Sequence, residues 1–274
     1  LPGNLNLSKS FPKSEIAFSM NANFSGDKID NLAGNISVEN GTYKNRNGQL
    51  NLEGLELQSI TGDSINYLTF TSDFFDIKIN GNYHFQNIMD AFKKSIDRYI
   101  PAINYNKTAN TKINKFGFQV DVKELDELMK VFAPKYRFET PFLLYGRLDS
   151  EQSVFELKGS IPGFSTPNLI LRNIFIGNIP RQELYTSTIR LGEIHLKNGM
   201  KLKNFTVNSK ITQNAIDNQI SWGTEEDKSY SGKIKTLALF SETPRSKWPH
   251  VEIEGVPTEI YMGDSLWLIN PFSA

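Results

Sequence analysis

Apolar residues alternate with polar ones along most of this chain, and this pattern constrains its fold more than any other feature. Ile36 and Val38 alternate before a turn at Asn40-Gly41, and Leu50 and Leu52 alternate in the following stretch. The same pattern predicts further strands at 136–148, 153–161, 168–177, 184–196, 202–212, 216–222, 230–240, 250–254 and 257–269. Because successive side chains of a strand point to opposite faces, each strand should have one apolar and one polar face.

The alternation changes phase at two places in the first third of the chain. Leu50 and Leu52 share one parity and Leu55 has the other, so a bulge or tight bend is expected at Gly54. The apolar residues Phe75, Ile77 and Ile79 follow a second slip at 72–74, which is either another bulge or a turn between two strands.

Two segments change from strand to helical spacing. The first is expected near 87–99, with Asn87 as its N-cap and Pro101 just beyond its end. Its predicted apolar face consists of Met89, Phe92, Ile96 and Tyr99. A helix of about three turns is marginal alone, so it should pack on the apolar face of the preceding strands.

The second helix is expected near 122–132, followed by Pro134. Asp121 and Glu124 fit an acidic variant of the capping box, and Val120 with Leu125 fits a hydrophobic staple. Its predicted apolar face consists of Leu125, Leu128, Met129 and Phe132. Strand followed by helix thus occurs twice, which predicts a loosely repeated unit.

Charge and composition exclude several classes of protein. Lys plus Arg and Asp plus Glu number 30 each in 274 residues, whereas nucleic-acid-binding proteins usually carry a basic excess. The chain contains no cysteine, which rules out disulfides, thiolate metal sites and cysteine nucleophiles. It begins without methionine and ends within a strand-like pattern, so we expect an interior piece of a longer protein.

Motifs that carry chemistry are not found in the sequence. His84, His195 and His250 lie far apart and form no metal-binding spacing. Asp73 and Asp76 could serve acid–base or metal chemistry, but they coincide with the second phase slip, where Ser-Asp is ordinary turn chemistry. Nucleophile-elbow and phosphate-binding glycine motifs are also missing. We therefore expect no catalytic residue, no metal and no cofactor.

The expected fold is mainly β: an elongated, curved antiparallel sheet, shaped as a trough or a sandwich-like taco, with the two short amphipathic helices. We expect one unit over 1–101, ending in the first helix, and a second β-rich unit over 102–274 with one helix near its start. The two units should be continuous with each other.

Three phrases of the sequence resemble the TamB-like proteins of Bacteroidetes, members of the AsmA-like superfamily. They are "LAGNISVENGTY" at 32–43, "LTFTSDFFDIKINGNYHF" at 68–85, followed by a helix, and "VPTEIYMGDSLWLINPFSA" at 256–274. The resemblance covers most of the chain, and none of its phrases contains a catalytic residue.

This resemblance implies a long periplasmic protein with one N-terminal anchor in the inner membrane and a curled β-sheet with an apolar interior. Such proteins are thought to move phospholipid between membranes and to assist outer-membrane protein assembly beside a barrel partner. The chain would then be a non-enzymatic scaffold segment whose partners are phospholipid acyl chains and that barrel, with no nucleic acid. The candidate lipid-facing residues are Ile36, Val38, Leu50, Leu52, Phe75, Ile77, Ile79, Met89, Phe92 and Ile96.

Two other functions remain open from the sequence. A β-sandwich module that binds a glycan or a protein partner would have a closed core and an exposed aromatic cluster, with Trp222, Trp248 and Trp267 as candidates. A hydrolase on a β scaffold would need carboxylates, such as Asp73 and Asp76, to converge in a cleft.

Overall fold

The computed structural model describes residues 14–27, 29–62, 65–103, 112–223, 229–243, 248–263 and 265–274. The strands are β1 (Glu15–Ser25), β2 (Ala33–Asn45), β3 (Gly48–Thr61), β4 (Asn66–Ser72), β5 (Phe75–Asn82), β6 (Lys115–Val122), β7 (Arg137–Glu139), β8 (Phe142–Asp149), β9 (Val154–Thr166), β10 (Leu169–Pro180), β11 (Tyr185–Leu196), β12 (Lys201–Thr212), β13 (Ala215–Trp222), β14 (Tyr230–Ser241), β15 (His250–Gly255), β16 (Thr258–Met262), β17 (Ser265–Ile269) and β18 (Phe272–Ser273). The α-helices are α1 (Ile88–Asp97) and α2 (Asp126–Phe132), and short 3-10 turns lie at Ile29–Asn31, Phe85–Asn87 and Pro101–Ile103.

The strands form one antiparallel sheet in which almost every strand pairs with its neighbours in the chain. Pairing runs without interruption from β1 through β6, on to β8, and from there to β14. The short strand β7 pairs with β9 beyond the end of β8, and β15 and β16 both pair with β14. The sheet is open, because β1 pairs with β2 alone among the described strands.

The prediction of a mainly β fold with one large antiparallel sheet and two short helices is confirmed. Most strands lie within a few residues of their predicted positions because alternation directly reflects a half-buried strand. The predicted strands 136–148 and 257–269 are wrong in one respect, because each consists of two strands, β7 with β8 and β16 with β17. The first thirteen residues of the predicted unit 1–101 lie outside the described part of the chain. The two predicted units share one sheet, since β5 and β6 pair along eight residues.

A line of irregular backbone, here called the crease, crosses the long strands near their middle. Asn40 in β2, Asn173 in β10 and Asn204 in β12 adopt φ values of 51°, 53° and 52°, in the left-handed region. Gly192 of β11 lies opposite both Asn173 and Asn204, because its neighbours Leu191 and Glu193 pair with the residues flanking each asparagine. Side-chain alternation changes phase at each of these points, so apolar residues on the two sides of the crease are three apart. The phase slip predicted at Gly54 belongs to this line.

The first helix starts and ends close to its predicted bounds. Phe92, Ile96 and Tyr99 of its predicted apolar face pack towards the sheet, and only Met89 does not. Residues 83–103, here called the strap, contain α1 and the two 3-10 turns that flank it. Ala91 and Ser95 are buried, whereas Met89 of the predicted apolar face is 62 % exposed. The small side chains let α1 approach Tyr83 and Leu148 closely, which selects the face. Asn87 is the N-cap residue, but its side chain makes no capping hydrogen bond.

The predicted start of the second helix is wrong. Residues 115–122 continue as strand β6, in which Val120 pairs with both Ile77 and Leu144, and α2 begins only at Asp126. Asp121 lies within β6, opposite Asp76 of β5, and so cannot cap a helix. Pairing on both sides of β6 outweighs the local capping signal, because tertiary context overrides propensity.

Half of the buried apolar residues of the described chain fall into two small clusters, one at each helix. Tyr83, Ala91, Phe116 and Leu148 form the first cluster, under α1, and Leu50, Phe74 and Val131 form the second, around α2. The helix α2 contacts β3 and β7, on the side of the crease that β4, β5 and β6 do not reach. No helix within the described ranges is long and apolar enough to cross a bilayer.

Candidate functional site: an apolar groove along the sheet

A single rank of apolar residues runs across thirteen paired strands, from β1 to β14. Cross-strand register places its members side by side: Ala22, Ile36, Leu57, Phe70, Ile77, Val120, Leu144, Gly159, Ile176, Ile189, Val207, Ile220 and Ile234. Because side chains alternate with period two, all of them lie on one face of the sheet, here called the inner face.

The adjacent rank, on the outer face, is almost entirely polar. Its members are Asn23, Asn35, Gln58, Thr69, Lys78, Gln119, Tyr145, Lys158, Gly177, Thr188, Asn208, Gln219 and Lys235. An antiparallel sheet with one polar and one apolar face normally packs the apolar face on a core. The sequence therefore specifies a water-facing side and a side that needs an apolar partner.

The inner face has no second sheet packed on it among the described residues. Of the thirteen members of the inner rank only Gly159 is buried; most are half-buried, and Ile189 is 38 % exposed. The strap and α2 cover parts of this face, and the rest forms an open apolar groove that follows the crease across the strands.

A cavity of about 260 Å³ lies in the groove where β1 to β5 meet α2. Its walls are almost wholly apolar and include Phe18, Val38, Leu52, Phe75 and Leu128. Strand β1 is exposed along its whole length, and Ile16, Phe18 and Met20 are each more than half exposed. This end of the groove therefore opens to solvent over apolar side chains.

A second cavity, of about 140 Å³, lies between the strap and the rim of the sheet. Phe92, Ile96, Phe155, Tyr185 and Ile211 are among the residues that line it. The rings of Phe92 and Phe155 meet edge to face at 4.9 Å between centroids. Together the two cavities mark where helices lie over the inner face without filling the space beneath them.

Tyr99 joins the strap to three hairpin turns at one rim of the sheet, those after β8, β10 and β12. Its hydroxyl donates to the carbonyl oxygens of Arg181 at 3.0 Å and Ser153 at 3.5 Å, and its own carbonyl accepts from the Asn214 amide at 3.0 Å. Ser153 directly precedes β9 and Arg181 directly follows β10, so these two carbonyl oxygens lie at the ends of neighbouring strands. The strap is therefore held at this rim of the sheet through Tyr99.

Burial under the strap shifts the ionisation of three tyrosines. Desolvation raises the pKa of Tyr83, Tyr99 and Tyr185 above the ordinary value of 10.0. For Tyr185 the hydrogen bond with Asn178 opposes this effect and lowers the pKa in part. All three hydroxyls thus stay neutral where the strap meets the sheet.

Most of the predicted groove residues lie together on the inner face. Ile36 and Ile77 belong to the inner rank, and Val38, Leu50, Leu52 and Phe75 line the larger cavity. Ile79 packs on the cluster beneath α1, and Phe92 and Ile96 line the smaller cavity. Met89 is the exception, because its exposed side chain lines neither cavity. Whether these residues contact lipid stays a prediction.

The candidate acid–base residues have structural partners. Asp73 Oδ2 accepts hydrogen bonds from the amides of Glu53 at 2.7 Å and Gly54 at 3.4 Å, and so holds β3 at the crease. Asp76 pairs with Lys123 Nζ at 2.7 Å. Among the described residues no three acidic, histidine or cysteine side chains are grouped as a metal site.

The three tryptophans considered for the sandwich alternative lie in different settings. Trp222 lies half-buried on the inner face beside Phe205, with 6.5 Å between ring centroids. Trp248 and Trp267 are 74 % and 59 % exposed, and Trp267 pairs with Ile260 in the hairpin of β16 and β17.

Sequence reasoning missed much of the second half of the groove, in particular Ile176, Ile189 and Ile220. The signal that would have found them is apolar spacing of three inside a strand, which marks the crease. It occurs at Leu52/Leu55, Ile161/Phe164, Leu171/Ile174, Leu191/Ile194 and Leu202/Phe205. Aligning the last four pairs gives the register of β9 to β12.

Comparison with known protein families, with curated proteins and with solved structures finds no match to this chain.

Proposed function

We propose that this chain is a non-enzymatic scaffold segment whose groove holds the acyl chains of phospholipids. The observation that carries the proposal is the inner rank: thirteen strands present apolar side chains to a groove that no second layer of the described chain fills. At about 4.8 Å per strand the rank is about 58 Å long, more than one acyl chain needs. An exposed apolar surface of this extent indicates a binding role.

The resemblance to the TamB-like proteins suggests the setting. On that basis we propose a periplasmic location in a longer protein anchored in the inner membrane. The segment would carry phospholipid between membranes or support outer-membrane protein assembly beside a barrel partner. The near-balance of charge suits a carrier of acyl chains better than a carrier of polyanions.

The test is native mass spectrometry of the full chain after incubation with a mixed phospholipid extract. We expect bound phospholipid at defined stoichiometry in the wild type. The variant Ile189→Asp places a charge in the groove and should lose most of the bound lipid, because burying an unpaired carboxylate beside acyl chains is costly.

The matched control is Thr188→Asp, which places the same charge on the outer face of the same strand. It should bind lipid as the wild type does. A folded wild-type chain that stays free of lipid, or equal loss of lipid in both variants, would contradict the proposal.

A further inference from the structure

A second rank on the inner face changes character halfway along the groove. It lies two residues nearer the strap than the inner rank. In β4, β5 and β6 its members are Leu68, Ile79 and Phe118, whereas in β10 to β14 they are Asn178, Ser187, Ser209, Asn218 and Thr236. We call these five side chains the polar band. It places hydrogen-bonding groups beside the apolar inner rank over five strands.

The members of the polar band differ in how many hydrogen bonds their side chains make within the chain. Asn178 is buried and structural: its Oδ1 accepts from the Leu157 amide, and its Nδ2 donates to the Phe155 carbonyl. Ser209 Oγ donates to Asn218 Oδ1 at 2.6 Å. The amide nitrogen of Asn218 and the hydroxyls of Ser187 and Thr236 make no side-chain hydrogen bond to another described residue.

The side chains on both sides of the polar band are uncharged and mostly apolar. Towards the crease lie Ile189, Val207 and Ile220, and towards the strap lie Tyr185, Ile211 and Ile216, of which Tyr185 bonds to Asn178 through its hydroxyl. Half-buried polar groups with unused donors are the informative exception on an apolar face. Neutral donors can bind ester and phosphodiester oxygens without selecting the net charge of a ligand.

We propose that the polar band binds the glycerol-ester and phosphate oxygens of a diacyl phospholipid whose acyl chains lie along the inner rank. The inference rests on the proposed function, and it adds a fixed place for the polar end of the lipid. Two residues along a strand span about 6.7 Å, so both ranks lie within reach of one lipid molecule. The groove would therefore hold phospholipid in register over β10 to β14 and hold acyl chains alone elsewhere.

The experiment compares two fluorescent probes on the full chain: a pyrene-labelled phosphatidylcholine and pyrenyldodecane, which has no polar end. The test variant is Ser209→Ala with Asn218→Leu, which removes the hydrogen-bonded pair of the inner face. We expect phosphatidylcholine to bind about tenfold more weakly to this variant, and pyrenyldodecane to change by less than about twofold.

The matched control is Thr188→Val with Asn208→Leu. These residues form an equivalent hydroxyl–amide pair on the outer face, with Thr188 Oγ1 donating to Asn208 Oδ1 at 2.9 Å. Both probes should bind this control as they bind the wild type. Should the inner double variant fail to fold by circular dichroism, the single change Thr236→Val replaces it, with a two- to threefold loss of phosphatidylcholine binding expected, roughly one hydrogen bond.

The outcomes separate the two proposals. Equal phosphatidylcholine binding by the inner variant and the wild type overturns the polar band as a lipid site and leaves the groove intact. A wild type that binds neither probe overturns the proposed function, and the polar band with it.

Discussion

At the scale of single residues, one buried amide anchors the start of the strap. Asn114 is completely buried, and its Oδ1 accepts a hydrogen bond from the His84 amide at 2.7 Å. Its backbone amide donates to Ser150 Oγ at 2.9 Å, and its carbonyl accepts from the Ser150 amide. This side chain thus fixes the position where β5 ends relative to the turn after β8.

The change Asn114→Leu should lower the free energy of unfolding by about 2 kcal/mol, because the part-buried His84 amide loses its acceptor. Urea denaturation followed by circular dichroism measures the change. The control is Asn35→Leu on the outer face of β2, which should cost less than about 0.5 kcal/mol. Equal effects of the two changes would show that Asn114 is not an anchor.

The face on which a residue lies could be predicted where strand alternation fixes it. It could not be predicted where it depends on tertiary packing. Ile36 and Ile77 follow from parity alone. Met89 does not, because its exposure depends on how α1 packs through Ala91 against the cluster that contains Tyr83. The use of Asp73 as an acceptor at the crease also depends on a partner twenty residues away.

At the scale of elements, the strap owes its position to aromatic and backbone contacts rather than to helix propensity. The ring of Tyr99 lies 5.3 Å from that of Tyr185, and the Ala102 amide donates to Asn214 Oδ1 at 2.7 Å. Since α1 has only ten residues, it would not be stable alone. Its docking should therefore respond to any change in these contacts.

Alkaline pH should loosen the strap. The raised pKa values of Tyr83, Tyr99 and Tyr185 mean that their stabilising contribution is fully present below pH 10.0, the ordinary pKa, and is lost as pH rises through the higher folded values. Thermal melts at about pH 9 and about pH 11 measure this loss. The double change Tyr99→Phe with Tyr185→Phe should reduce the fall in Tm; an unchanged fall would contradict this origin.

The sequence predicted whether a segment is strand or helix. It predicted where the segment ends only where no neighbouring strand competes with the local signal. The strands β11 to β14 match their predicted bounds to within one residue, whereas β9 and β10 extend beyond their predicted ends at 161 and 177. The start of α2 was wrong, because the segment 115–122 carries both strand alternation and a capping signal. Only the presence of β5 and β8 on its two sides decides between them.

At the scale of the whole molecule, the crease gives the sheet its form. Left-handed backbone at an asparagine costs about 1–2 kcal/mol relative to ordinary strand backbone, and a β-branched residue tolerates it worse. Three asparagines on different strands adopt it in the same line, so the sheet as a whole requires the irregularity. The crease turns two sets of strand ends into the walls of one groove.

The double change Asn173→Val with Asn204→Val should therefore lower the free energy of unfolding by roughly 2–4 kcal/mol, since valine resists positive φ. The double change Asn173→Gly with Asn204→Gly leaves positive φ accessible at both positions. Its free energy of unfolding should stay near that of the wild type. Urea unfolding of the two variants compares them directly. Equal stability would mean that the crease does not need these conformations.

The near-exclusive pairing of each strand with its chain neighbours has a consequence for folding. Most contacts of the sheet join strands that are neighbours in the chain, as in repeat proteins, where stability is approximately a sum of nearest-neighbour terms and folding can start at several places. The strap is the exception, because Tyr99 ties hairpins whose residues lie 54 to 82 positions further along the chain. Unfolding should accordingly begin as fraying at β1 and at β15 to β18, while the strands joined by the strap separate last and together.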